Sequence, residues 1–523
     1  MRLKSGSPDF DNDATGDDQH MCDEAAVVAD GSISRKTAVT TTVVRNVKAV
    51  DEVAEDEAST AADDRCGRVR QTEPHPPRGP AAVIAAGVRD GSLLPTTVVA
   101  EAAALAAGRK ANAVSVARAE RAMAEAAALE QRVDLDALPL AGVPVAIDHR
   151  VSIEGDAATA DHPVVRRLRA AGAVVVAAPE LGLRGTTDNP RNPWNSARCA
   201  GGASGAAVAS GLVPVAYGSE GLGSVRVAAA CCGVFGIKPG RCTVPVVIGA
   251  GAWSGMVENG VLATTVGDAA LALSVMAARP DLAEVDPPGR LRIGLALNPP
   301  SRLFRVDRHW TAAARRAGSV AEAAGHVVEP TTLPYDNALF SVFLRWLSAA
   351  AVPDHGRLPW RTRRHLALGR LVQRLVRPAQ MDRVEARLLE FFDHYDVVIT
   401  PALTASPPEA RARHTCRQPA CVRFSPFIPL WNLVDWPAAS VPMGMQPRAG
   451  TPVAAQLSGP PGSESTLLRL SAQLEISRPW QRIAPRAGSD ADRGPLCGES
   501  AIDGSSGEFE DGGPVVVGSP CHG

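Results

Sequence analysis

Lysine and aromatic residues are the scarce components of this sequence. Lysine occurs five times in 523 residues, although lysine and arginine together number 54. Phenylalanine, tryptophan and tyrosine make up 4% of the chain, whereas alanine, glycine and valine are abundant. This bias is typical of a GC-rich genome, and it weakens helix predictions that count alanine as an apolar residue. It also leaves few candidates for any chemistry that needs a lysine, since none lies between Lys110 and Lys238.

An excess of positive charge is also missing. The 54 basic side chains face 56 acidic ones, for a formal net charge of -2. A nucleic-acid-binding protein usually carries a basic patch or a high isoelectric point. We therefore expect no nucleic-acid partner.

Signals for export, membrane insertion and metal binding are missing as well. The first residues, MRLKSGSPDFDNDATGDD, have no apolar core, and the uncharged stretch 200–219 is rich in glycine and serine and contains Pro214. We expect no signal peptide, no membrane span and a cytoplasmic location. The ten cysteines follow no disulfide framework, and His414, Cys416 and Cys421 do not complete a zinc site. Cys231 and Cys232 lie in an apolar run, where we expect them to pack as small hydrophobic residues.

Composition divides the chain into three parts. Residues 1–75 are polar and acidic and predict a disordered extension, with some β-branched character at 37–50. The whole chain is 45% hydrophobic, which is ample for a buried core, and we place the folded domain at residues 76–485. The tail 486–523 is rich in glycine, serine and aspartate and predicts disorder. In the middle part, helical spacing predicts helices at 81–88, 96–108, 111–130, 311–325, 337–352 and 380–395. Short apolar runs predict strands at 142–147, 173–178, 397–400 and 438–441.

The stretch from Gly201 to Pro239 is the most informative about function. It reads GGASGAAVASGLVPVAYGSEGLGSVRVAAACCGVFGIKP, with Ser224 following Gly221-Leu222-Gly223. Glycines beside a serine allow tight backbone conformations in which successive N–H groups point at a bound oxyanion. Acyl transfer needs such donors, because negative charge grows on the carbonyl oxygen when a hydroxyl attacks.

This stretch resembles the core of the amidase signature family, serine hydrolases with a Ser–cis-Ser–Lys triad. The family pattern is roughly GGSSGGS…GSDxGGSIRxPAxxCGxxGxKP. Four further segments resemble family motifs in the same order, namely LAGVPVAI at 140–147, DVVITPA at 396–402, NLVDWPAASVPMG at 432–444 and the closing segment 452–480. The resemblance covers about residues 80–485. The similarity is nearest to actinobacterial amidases. It implies a single large α/β domain in which helices wrap a mixed central β-sheet.

The resemblance places each family role on a residue. The nucleophile falls on Ser224, and Gly221, Leu222 and Gly223 would supply oxyanion N–H groups. The cis-serine position falls on Ala203 and the lysine position on Asp148, so two of the three triad positions depart from the family pattern. The segments after Gly155, after Val176 and between Ala203 and Ser224 are also shorter than in the family pattern.

These departures change the expected chemistry. A family lysine takes the proton of the nucleophile through the cis-serine, but a carboxylate has an unperturbed pKa near 4 and is a weaker base. Ala203 has no hydroxyl to relay a proton, and the neighbouring Ser204 would replace it only if the shortened loop shifts its register. Lys238 stands in the family's GxKP motif, and we interpret it as a structural or surface lysine rather than a transplanted base.

Two functional hypotheses follow from the resemblance. The first is an amidase of impaired activity that cleaves a small carboxylic amide to a carboxylate and an amine or ammonia, through an acyl-enzyme on Ser224, with no metal and no cofactor. The alternative is an inactive amidase-fold pseudoenzyme that serves as a binding or scaffold protein. The transamidation branch of the family and a homodimer both stay open. We interpret the basic amphipathic segment 361–377 as a solvated helix face near the substrate pocket rather than as a membrane-binding surface.

Overall fold

A ten-stranded mixed sheet forms the centre of the molecule. The computed structural model describes residues 79–107, 119–148, 151–154, 160–178, 202–244, 256–335, 338–349, 372, 378–405, 424–447 and 450–484. Its strands are β1 Pro144–Ile147, β2 Val174–Ala177, β3 Val215–Gly221, β4 Phe235–Lys238, β5 Val257–Ala263, β6 Arg292–Leu295, β7 Val327–Pro330, β8 Val397–Pro401, β9 Ala438–Met445 and β10 Pro452–Ser458. They pair in the order β2-β1-β3-β5-β4-β9-β10-β8-β6-β7.

The strand directions change across the sheet. Pairing is parallel at both ends, in β2-β1-β3 and in β8-β6-β7, and antiparallel through the middle from β3 to β8. Strands β1 and β2, with the sequences PVAI and VVVA, are buried at every position. Continuous apolar runs of this kind are typical of parallel strands covered on both faces.

Twelve helices accompany the sheet in the described ranges. They are α1 Ala81–Arg89, α2 Pro95–Ala107, α3 Ala119–Glu130, α4 Pro163–Ala170, α5 Gly202–Ala209, α6 Ser224–Cys232, α7 Val266–Ala277, α8 Arg308–Ala323, α9 Ala338–Ala349, α10 Pro378–Phe392, α11 Pro429–Leu433 and α12 Glu464–Ser477. The predicted strands and most predicted helices are therefore confirmed, with ends shifted by a few residues. The predicted α/β fold with a mixed central sheet is confirmed too.

Helix α6 lies directly on the sheet because three glycines give it room. A Cβ atom at Gly218 or at Gly260 would stand 2.9 Å from Cγ2 of Val225. One at Gly236 would stand 2.6 Å from the Cβ of Ala229. Side chains at these positions on β3, β5 and β4 would lift the helix, so the glycines set the depth at which Ser224 is held.

The cysteines beside this helix behave in two ways. Cys231 and Cys232 are buried and not disulfide-bonded, and they pack in the hydrophobic core as predicted. Cys242, by contrast, is disulfide-bonded, which the dispersed spacing of the cysteines did not predict.

Several predictions concern residues outside the described ranges. These are the terminal extensions 1–75 and 486–523, most of the basic segment 361–377, the cluster of His414, Cys416 and Cys421, and the first part of the helix predicted at 111–130. Within the described ranges, no helix combines the length and the apolarity that crossing a bilayer requires.

Candidate active site

The turn between β3 and α6 places Ser224 at the first position of the helix. Leu222 and Gly223 have φ angles of 50° and 103°, both in the left-handed region. A leucine pays a conformational cost there, and such outliers tend to occur at functional sites. A Cβ atom at Gly223 would stand 2.4 Å from Cγ2 of Ile428, so this position requires glycine.

The hydroxyl of Ser224 is bound to the turn itself. Its Oγ donates to the main-chain carbonyl of Ser219 at 2.6 Å and accepts from the N–H of Gly221 at 3.0 Å. Ser224 is 3% exposed. The Gly221 N–H, predicted to be an oxyanion donor, is thus engaged with Oγ. The N–H groups of Leu222 and Gly223 have no hydrogen-bond partner among the described residues.

Asp148 follows β1, and its side chain bonds to Ser219 of β3, to which the hydroxyl of Ser224 also bonds. Its Oδ2 accepts from the N–H of Ser219 at 3.2 Å and from the Ser219 hydroxyl at 2.9 Å, and the side chain is buried. Ser219 therefore bonds to Asp148 through its N–H and hydroxyl and to Ser224 through its carbonyl. The structure brings Asp148 and Ser224 into one hydrogen-bonded chain, with Ser219 between them.

Ser204 joins this cluster through Tyr217. The carbonyl oxygen of Tyr217 accepts from the Ser204 hydroxyl at 3.3 Å and from the N–H of Asp148 at 3.2 Å. Ala203 lies beside Ser204 in α5. The described partner of the Ser204 hydroxyl is thus a strand carbonyl close to Asp148.

Glu220 holds the N-terminus of α6. Its Oε2 accepts from the N–H of Val225 and, at 3.3 Å, from the N–H of Arg226. Both amides lie in the first turn of α6, where a helix offers its own N–H groups no acceptor. Its Oε1 accepts from Nε of Arg226 at 2.8 Å, and both side chains are fully buried. Burial lowers the pKa of Arg226, and the adjacent Glu220 carboxylate opposes that effect.

Arg226 also connects α6 to two distant parts of the chain. Its Nη2 donates to Oδ1 of Asn432 at 2.6 Å, and its Nη1 donates to Oε1 of Gln456 at 2.9 Å. Sequence reasoning did not single out Ser219, Glu220, Arg226, Asn432 or Gln456. All five lie inside the motif segments quoted above, which was the available signal.

Lys238 forms a separate buried ionic group. Its Nζ donates to Oδ1 of Asp435 at 3.0 Å and to the Pro239 carbonyl at 2.7 Å, with the side chain fully buried. Burial and the charge of Asp435 raise the pKa of nearby Glu258 to about 8, against the opposing charge of Lys238. Lys238 is therefore a structural lysine and not a surface one. Over the described ranges, no three His, Cys, Asp or Glu side chains are placed to hold a metal ion.

A strand, a strained turn and a helix that begins at Ser224 follow one another at this site. This chain belongs to the amidase signature family, since the family model described as Amidase matches residues 98–468, which is more than half of the chain.

Individual relatives agree with this membership. AmiB2 of Mycobacterium tuberculosis strain H37Rv, which carries the name of an amidase, is 38% identical over 421 residues, covering 71% of this chain and 90% of that protein. The 6-aminohexanoate-cyclic-dimer hydrolase of Pseudomonas sp. strain NK87 is 31% identical over 422 residues, covering 66% of this chain and 85% of that protein. A solved structure of 6-aminohexanoate cyclic dimer hydrolase complexed with substrate has a TM-score of 0.66 at 26% identity, covering 77% of this chain and 98% of that one.

Proposed function

We propose that this protein is an amide hydrolase of low turnover that acts through an acyl-enzyme on Ser224. The observation that carries this proposal is the β3–α6 turn, where the N–H groups of Leu222 and Gly223 lie beside a serine hydroxyl and have no hydrogen-bond partner among the described residues. Its substrate would be a small carboxylic amide and its location the cytoplasm. The names of two relatives support an amide substrate, since AmiB2 is named as an amidase and the other relative as a 6-aminohexanoate-cyclic-dimer hydrolase.

The reaction would proceed in two steps. Oγ of Ser224 would attack the amide carbon while its proton passes to the leaving nitrogen. The C–N bond would break and release an amine or ammonia, leaving an ester on Ser224. Water would then hydrolyse the ester, returning the proton to Oγ and releasing the carboxylate. The N–H groups of Leu222 and Gly223 would stabilise the negative charge on the carbonyl oxygen in both steps.

Low turnover is expected because the groups that would have to accept the proton of Ser224 are already engaged in hydrogen bonds or ion pairs. Asp148 accepts hydrogen bonds from Ser219, and Lys238 is paired with Asp435. The hydroxyl of Ser224 itself donates to a strand carbonyl, which is not a base. Proton transfer by a positioned base contributes about 10²–10⁴-fold to an enzymatic rate, so its loss leaves oxyanion stabilisation and binding.

One observation favours the alternative of a binding protein without turnover. With its hydroxyl bonded to Ser219 and 3% exposure, Ser224 must leave that carbonyl before it can attack. In that case the fold would be retained for binding, and the serine would be a small residue at a tight turn.

A serine-directed probe separates the two functions. We expect a fluorophosphonate to label the wild-type chain slowly, with loss of labelling in Ser224→Ala. Ser204→Ala is the matched control and should keep labelling, because the Ser204 hydroxyl bonds to Tyr217. Hydrolysis of a panel of simple amides should be slow and depend on Ser224. Labelling that survives in Ser224→Ala refutes the nucleophile assignment, and a wild-type chain that is neither labelled nor active supports the binding protein.

A further inference from the structure

A cavity lies at the opposite end of α6 from Ser224. It has a volume of about 420 Å³, and the residues around it include Gly233, Gly444, Ser477, Arg478, Trp480 and Gln481. Gly233 ends α6, and Ser224 begins it. At a rise of 1.5 Å per residue, the helix separates the cavity from the serine by roughly 13 Å. The cavity is therefore distinct from the β3–α6 turn.

Two guanidinium groups converge on Gly444 at the wall of this cavity. A Cβ atom at Gly444 would stand 3.4 Å from Nη2 of Arg316 and 3.8 Å from Nη2 of Arg478. Arg316 belongs to α8, whereas Arg478 directly follows α12. The Arg316 side chain is fixed by its Nε, which donates to the Met443 carbonyl at 2.8 Å. Gly444 and Arg478 line the cavity, and the Arg316 guanidinium lies next to Gly444, which has no side chain to come between the two groups.

The positive charge of this pair is not balanced within the described part of the chain. Neither arginine forms an ion pair with a carboxylate there, whereas several other arginines do. Glu475, close by on α12, accepts from the Val266 N–H at 2.9 Å and lies 3.9 Å from Arg482. Burial and the neighbouring Arg478 lower the pKa of Arg316, as expected for two like charges held close together.

We propose that this cavity binds a small oxyanion, a phosphate or carboxylate group, between Arg316 and Arg478. Guanidinium groups donate in a planar fork that matches both anions and forms strong charge-assisted hydrogen bonds. Trp480 forms an apolar wall, held in place by its indole N–H, which donates to the Thr264 carbonyl at 3.2 Å. Ser477 and Gln481 also line the cavity. This proposal does not depend on the activity of Ser224.

Calorimetric titration of the full chain tests the site. Sodium phosphate and sodium acetate are titrated separately, at an ionic strength held constant with sodium chloride. We expect saturable binding of at least one anion, and the comparison shows whether phosphate or carboxylate is preferred. Loss of one charge-assisted hydrogen-bond partner should weaken that binding about tenfold or more in Arg478→Gln and in Arg316→Gln.

Two controls make the result specific. Arg315→Gln removes the adjacent, exposed arginine of α8 and should bind the anion like the wild type. Ser224→Ala should also bind normally, because it alters the other end of α6. Arg478 is exposed, so Arg478→Gln should fold normally even if Arg316→Gln does not. Absence of saturable binding in the wild type, or equal binding in Arg478→Gln, overturns the proposal.

Discussion

The hydroxyl of Ser224 donates to the main-chain carbonyl of Ser219 at 2.6 Å. Ser219 in turn donates its own hydroxyl to Asp148 at 2.9 Å. Asp148, which the sequence resemblance assigns to the family lysine position, is therefore connected to the candidate nucleophile through the strand and not through a proton relay. Asp148 accepts hydrogen bonds near the end of β3, and the Ser219 carbonyl of β3 accepts the hydrogen bond of Ser224.

Gly223 should be required for the geometry of the turn. Gly223→Ala combines a φ of 103° with a Cβ that would stand 2.4 Å from Cγ2 of Ile428. We expect a loss of more than about 1 kcal/mol in the free energy of unfolding and slower labelling of Ser224. Gly267→Ala is the control. A Cβ atom at Gly267 would have no neighbouring atom within 4 Å and the φ of Gly267 is not positive, so this variant should be as stable as the wild type or more stable. Urea denaturation compares them, and equal stability of the two variants would contradict the strain.

Asp148 should contribute to stability through the two bonds it accepts from Ser219. Asp148→Ala leaves a buried N–H and a buried hydroxyl without this acceptor, which should cost about 1–3 kcal/mol in the free energy of unfolding. Asp148→Asn keeps a carbonyl oxygen and should lose less. Chemical denaturation of both variants measures the difference. An alanine variant as stable as the asparagine variant would show that these bonds contribute little.

Arg226 and Glu220 should behave as a coupled pair. Arg226→Met leaves the Glu220 carboxylate buried without its cation, and loss of one partner from a buried pair costs about 3–5 kcal/mol. Adding Glu220→Gln to Arg226→Met should recover part of that loss, since the amide needs no counter-charge. A double-mutant cycle gives the coupling free energy. Additive effects of the two substitutions would exclude the coupling.

Glu258 should make stability fall as the pH rises. Its pKa is raised from 4.5 to about 8, so between these values the folded state binds more protons than the unfolded state. The stabilisation is therefore fully present below about pH 4.5 and is lost as the pH approaches 8. Glu258→Gln keeps an acceptor for Asn259 and should flatten this part of the profile. Denaturation midpoints from pH 5 to pH 8 test this, and parallel profiles for wild type and variant would refute it.

Introducing the triad residues that the resemblance predicts should raise turnover more when both positions change than when either changes alone. Asp148→Lys with Ala203→Ser supplies a base and a relay, and triad members act as a unit. Amide turnover by the two single variants and the double variant measures this. Wild-type hydrolysis at a typical enzymatic rate, about 1–10³ per second, would show that another residue already supplies the base.

Local sequence patterns predicted four of the ten strands and six of the twelve helices in the described ranges. Runs such as VVVA at 174–177 and VVITP at 397–401 are apolar at every position, and a short segment of this kind is stable only when both faces are covered. The mixed sheet and its wrapping helices followed from the resemblance of ordered motifs. Pairing order could not be derived from these runs, because β4 pairs with β9 across 200 residues of chain and nothing local specifies that partner.

The sequence by itself determined which groups are present, namely a serine after a glycine turn, and an aspartate and an alanine at the positions where the resemblance predicts lysine and serine. The tertiary structure decided what those groups contact. Hydrogen bonds between distant segments tie Asp148 to Ser219 and Arg226 to both Asn432 and Gln456. The partners of a buried polar group depend on which strands and helices pack around it, and only the complete fold brings residues 71 to 230 positions apart within hydrogen-bond distance.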